Sequence, residues 1–192
     1  MTTIRTARLI TDILAPANLV IAILLIIGWH STRDLTGLAW GMLAALFCGG
    51  IPFAFIVLGV RRGRWTDKHV RVREQRAVPL LVTMASVLTG IALLVLFEAP
   101  REVFALVVAM LAGLAMTILV TTWWKVSIHT AVASGVTVVL ILAYGAWMAW
   151  LLPGVAVIGW SRVALRDHTP AQTVVGALLG GLAAAVVFSL LR

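Results

Sequence analysis

An all-α bundle of six to seven membrane-crossing helices is the fold class this sequence predicts, and three observations predict it. Hydrophobic residues fill 62% of the 192 positions, and mean hydropathy is +1.09. Charged residues fill 11%, against about a quarter in soluble domains. The apolar residues fall in runs close to the roughly 20 residues that cross hydrocarbon as a helix, where backbone polar groups must be satisfied within their own segment. The chain reads as a single membrane domain over 1–192, with no soluble domain, linker or low-complexity run.

The runs are Ile13–Trp29, Leu35–Val60, Val78–Phe97, Val103–Thr122, His129–Ala146, Ala149–Trp160 and Thr169–Leu191. The first follows Arg5 and Arg8 as a signal peptide would, but it carries Pro16 and Asn18 and ends in Trp29-His30 without small residues for cleavage. It is expected to be a retained helix. Gly49-Gly50-Ile51-Pro52 permits a kink in the second run, and Pro153-Gly154 interrupts the short sixth. Tryptophans 29, 40, 123, 124, 147, 150 and 160 lie near run ends as an aromatic belt would. Gly176-x3-Gly180 lets the last helix approach a neighbour closely.

Three polar islands separate the runs: Arg61–Arg76, Lys125–His129 and Ser161–His168. If each intervening pair of runs is a hairpin, all three share one membrane face. Twelve of the 15 Lys and Arg residues then lie on that face, leaving Arg33, Arg101 and Arg192 opposite. The positive-inside rule makes the crowded face cytoplasmic and the protein a multi-pass component of the cell membrane. The net charge of +8 points to anionic lipid headgroups, because no hydrophilic domain exists to hold nucleic acid. Cys48 is the one cysteine, so neither an intrachain disulfide nor a Cys-based metal site can form. No metal or cofactor is expected, and the oligomeric state is not legible. Asp12 and Asn18 either reach a cavity or pair with another helix.

The densest chemistry lies in Ser161-Arg162-x3-Arg166-Asp167-His168-Thr169-Pro170-Ala171-Gln172. A guanidinium and an imidazole beside a helix start suit an anion, whose charge the helix N-terminus also favours. Thr169-Pro170-Ala171-Gln172 reads as a capping box with proline at the first helical position. The stretch resembles the third signature of the type 2 phosphatidic acid phosphatase superfamily, Ser-Arg-x5-His-x3-Asp, with Gln172 where the family has Asp. Ser127 and His129 resemble the second signature, Pro-Ser-Gly-His, with Val126 and Ile128 in place of proline and glycine. The first, Lys-x6-Arg-Pro, is matched loosely by Lys68, Arg76 and Pro79; the residue seven before Arg76 is His69. The three signatures span 61–180.

The resemblance implies a metal-independent phosphatase acting on a phosphomonoester or diphosphate of a polyprenyl or glycerolipid. His168 would be the nucleophile, forming a phosphohistidine, with Gln172 orienting it. His129 would protonate the leaving oxygen and later activate water. Arg162, Arg76, Lys68, Arg73, Lys125 and Ser127 would hold the phosphate, and Asp167 and Asp67 are the nearby carboxylates that could orient an imidazole. A non-hydrolytic lipid-phosphate binder or scaffold is the alternative that the missing Asp raises. A small lipid transporter is another, and it would require polar groups deep inside several spans.

Overall fold

The computed structural model describes residues 2–70 and 72–192, and among them the side chains of all but Arg73. The described chain is helical, without strands. Eight helices are distinguished: α1 (Thr2–Ile13), α2 (Pro16–Thr32), α3 (Leu35–Arg61), α4 (Ala77–Leu96), α5 (Arg101–Trp123), α6 (Ile128–Tyr144), α7 (Ala146–Ala164) and α8 (Pro170–Leu191). Five of these (α3, α4, α5, α7 and α8) are long and apolar enough to cross a membrane, and α1 with α2 forms a sixth candidate bent by 43°. The seventeen residues of α6 are apolar but shorter.

The bend between α1 and α2 arises because Pro16 begins α2 and cannot extend a helix arriving from Ile13. The amphipathic α1 turns Ala7 and Thr11 inward, where Thr11 Oγ1 shares a 3.1 Å hydrogen bond with Ser161 Oγ of α7. Asp34 caps α3 by accepting the Gly37 N–H. Within α3 the expected kink takes the form of a π turn over Leu46–Gly50, just ahead of Pro52. Such turns absorb an extra residue where a regular ladder would clash. The sixth run begins as a 3-10 helix over Ala146–Leu151 and becomes regular from Leu152, with Pro153 in its first turn.

Close backbone approaches hold the bundle together. A Cβ on Gly180 would lie 1.9 Å from the Ala131 carbonyl oxygen, and one on Gly176 would lie 2.5 Å from that of Ser127. Helices α6 and α8 therefore touch along their backbones, as the small-residue spacing predicts. Tryptophans 29, 123, 124, 147, 150 and 160 remain exposed. Trp65 is buried instead, stacked over Gly59 with its indole N–H donated to the Ile56 carbonyl, and so fastens the basic loop to α3.

The hairpin parity expected from the sequence is met. At one end, Arg101 of α5 donates to the Leu191 carbonyl of α8, Arg192 donates to Leu142 of α6, and His30 packs against Tyr144. The three polar islands converge at the other end.

Candidate functional site

A cavity of about 350 Å³ opens among the helices, and its lining divides into two parts. Asp12, Lys68, His69, Arg76, His129, Arg162 and His168 form a polar head. The remainder, from Val20, Pro52 and Phe53 to Leu106, Val139 and Ala184, is largely apolar and comes chiefly from six helices, α2 to α6 and α8. Four groups singled out in the sequence, His129, His168, Arg76 and Arg162, thus share one wall despite separations of up to 92 positions.

Each is placed by a local device. His168 lies in the turn between α7 and α8, where the Arg162 carbonyl accepts both the Asp167 and His168 N–H groups and Arg166 adopts a left-handed conformation. The capping box then starts α8: Thr169 accepts the Gln172 N–H, and Gln172 Oε1 accepts the Thr169 N–H at 3.1 Å. The same Oε1 lies 3.3 Å from His168 Nδ1. An amide oxygen only accepts, so this bond puts the proton on Nδ1 and leaves Nε2 with its lone pair. Burial, followed by the charges of Arg76, Lys125 and Arg162, pushes the His168 pKa down to about 3. The ring is therefore neutral at ordinary pH and equipped to attack an electrophile.

Helix α6 begins at the cavity because buried Ser127 caps it through the Thr130 N–H. Its alignment with α8 is fixed by Ser127 N–H to the Gln172 carbonyl at 3.2 Å and Thr130 Oγ1 to the Thr173 carbonyl at 2.8 Å. His129 follows, buried in the wall, with no hydrogen-bond partner for Nε2. Arg162 is 1% exposed and meets Asp167 Oδ2 at 2.9 Å. Arg76 donates from Nε to the Val70 carbonyl and from Nη1 to that of Val126, joining the first island to the second.

Several expected phosphate ligands have other placements. Ser127 is outside the cavity lining and works as a helix cap. Lys125 is also behind the wall; its Nζ donates to the Asp167 carbonyl at 2.6 Å, binding the second island to the third. Asp167 orients Arg162 through the ion pair, and the group bonded to the His168 ring is Gln172. Asp67 shapes its own turn by accepting the His69 N–H at 2.8 Å. Lys68 does reach the cavity, half exposed at its mouth. The Arg73 side chain lies outside the described part.

The polar head also holds Asp12, which the sequence left between a cavity and a helix partner, and His69, which it noted only for its spacing from Arg76. His69 Nε2 lies 3.0 Å from Asp12 Oδ1, an oxygen that also accepts Lys68 Nζ at 2.8 Å, and the His69 ring packs 5.3 Å from that of His129. A signal for His69 existed in its spacing of seven from Arg76, and one for Asp12 in its being a carboxylate beside the first apolar run.

No protein-family model, curated protein or solved structure matches this chain. The fold and site nevertheless define a class: an all-helical bundle, apolar enough for a membrane, enclosing an apolar cavity with a cationic, histidine-bearing head.

Proposed function

We propose that the chain is an integral membrane phosphatase that hydrolyses a phosphomonoester or diphosphate of a lipid through a phosphohistidine on His168. The observation that carries this reading is the shared cavity: three imidazoles and two buried guanidiniums at one end, and hydrocarbon-like walls beyond. A phosphate needs the first and an aliphatic chain needs the second.

In the first step His168 Nε2 bonds to phosphorus as the phosphorus–oxygen bond to the lipid breaks, and the departing oxygen takes a proton from an imidazole across the cavity. In the second, water attacks phosphorus, returns a proton to that imidazole, and inorganic phosphate leaves as the nitrogen–phosphorus bond breaks. Arg162 and Arg76 offset the charge on the non-bridging oxygens, and such electrostatic stabilisation usually contributes most to catalysis of this kind. The resemblance to the phosphatidic acid phosphatases gives the acid–base work to His129. Twelve cations on the site-bearing face against three opposite favour a cytoplasmic site in the cell membrane.

The test is phosphate release from a panel of polyprenyl and glycerolipid phosphates in detergent with no added metal. The wild type is expected to release phosphate, and both His168→Ala and His129→Ala are expected to abolish release. Wild-type turnover by the His168 variant would end the phosphohistidine mechanism. Tight lipid-phosphate binding without release would favour the binder.

A further inference from the structure

His129 and His69 stand side by side at the head of the cavity, and Arg162 acts on both, but His69 has a carboxylate partner in Asp12. A group that protonates a leaving oxygen must exist as a cation before it acts. Around His129 the charged or titratable neighbours are Arg162 and Arg76, both buried, with the imidazoles of His69 and His168, and its Nε2 has no hydrogen-bond partner. An imidazolium there would add a positive charge beside two buried guanidiniums, with Asp167 already engaged by Arg162 and no acceptor at the His129 Nε2. His69 has what His129 lacks. Its Nε2 lies 3.0 Å from Asp12 Oδ1, and Lys68 on the same oxygen keeps that carboxylate ionised. The His69 N–H to Asp67 fixes the backbone, so the ring is held at both ends.

We infer that His69, positioned by Asp12, is the general acid–base group of this site. The inference rests on the phosphatase reading above and deepens it. With Nε2–H donated to Asp12, Nδ1 is the nitrogen that exchanges protons with the substrate. His69 gives its Nδ1 proton to the oxygen leaving with the lipid, as the bond from His168 to phosphorus forms. Neutral His69 then takes a proton from the attacking water, phosphate departs from His168, and the imidazolium is restored. Burial lowers the pKa of His69, the charges of Arg162 and Lys68 add to that, and the hydrogen bond to Asp12 opposes it. His129 becomes a neutral imidazole contacting the phosphate.

The experiment compares two esters with the same tail, an alkyl phosphate and an alkylated nitrophenyl phosphate whose leaving group needs no proton. In His69→Gln, alkyl phosphate hydrolysis should fall by about 10²–10⁴-fold, the usual contribution of a general acid–base group. The nitrophenyl ester should still give a burst limited to a single turnover, followed by accumulation of phosphohistidine. Asp12→Asn should show the same split between esters with a smaller loss, on the order of tenfold, because a neutral acceptor replaces a charged one. Both variants should still be stabilised by orthovanadate in thermal unfolding.

Wild-type protein that cleaves neither ester would remove the phosphatase reading and this assignment with it. Wild-type rates in His69→Gln, or equal loss of both esters without a burst, would overturn the assignment alone. So would a burst in His129→Gln in place of His69→Gln, or loss of vanadate stabilisation in both the His69 and Asp12 variants. Wild-type cleavage of the alkyl but not the nitrophenyl ester would also overturn it, since release of the lipid oxygen would not then govern the rate.

Discussion

Gln172 performs two tasks with one oxygen, closing the α8 capping box and holding the His168 proton on Nδ1. A carboxylate at this position would accept the same bonds and add negative charge beside His168, the proposed nucleophile. Gln172→Asp is therefore expected to preserve or raise phosphate release, and Gln172→Leu to lose it, in the detergent assay. The depressed pKa of His168 has a separate consequence for stability. The unfolded chain protonates this imidazole near pH 6.5 and the folded chain only near 3, so the unfolded state binds more protons between those values. Stability attached to this group is complete above about pH 6.5 and falls by about 1.4 kcal/mol per pH unit below it. Thermal unfolding midpoints measured from pH 7 to pH 5 should decline, and His168→Gln should flatten the slope. The contacts of Gln172 with Thr169 and His168 were legible because they lie three and four residues apart. Those of His69 and Asp12 were not, because 57 positions separate them and only the turn at Asp67 and the bend before Pro16 bring them together.

At the scale of elements, His129 and His168 line one cavity because α6 and α8 begin side by side and touch backbone to backbone. Gly180 and Gly176 allow that contact, leaving no room for a Cβ against the carbonyls of Ala131 and Ser127. Gly180→Leu should drive the helices apart, costing about 1–3 kcal/mol as overpacking does, and should lower phosphate release by displacing His129 from His168. Gly154, where an added Cβ would meet nothing within 4 Å, is the control: Gly154→Ala should leave both the unfolding midpoint and the activity near wild type. The glycine spacing was readable in the sequence, since period-four small residues on an apolar helix have one common use. The partner helix was not, because the pattern on α8 fixes a face without naming what packs on it. The π turn in α3 was half legible: glycines and a proline announced an irregularity, but whether the helix bends or gains a residue depends on Ile21 packed against Gly49.

The whole molecule is polarised. One end gathers α1 and the three polar islands; the other closes with His30 beside Tyr144 and Arg101 on the last turn of α8. Alternating helices make this division a property of connectivity, which is why hairpin counting alone recovered it. What counting does not supply is an absolute direction, and the surplus of Arg and Lys at the site end points it toward the cytoplasm. Part of that surplus, Arg76, Arg162 and Lys68 at the cavity, belongs to the site and would gather there on either side. Removing these three from the twelve still leaves nine against three, with Arg5, Arg8, Arg61, Arg62 and Arg64 among them. The prediction is tested with single cysteines at Arg64 and Arg33 in a Cys48→Ser background, both being exposed positions in loops at opposite ends. In intact cells a membrane-impermeant maleimide should label the cysteine at 33 and spare the one at 64, and permeabilisation should make both react. Labelling at 64 alone before permeabilisation would invert the protein, placing the polar head of the cavity outside. Equal labelling of both before permeabilisation would mean that the two ends do not face opposite sides, and the hairpin topology would fall.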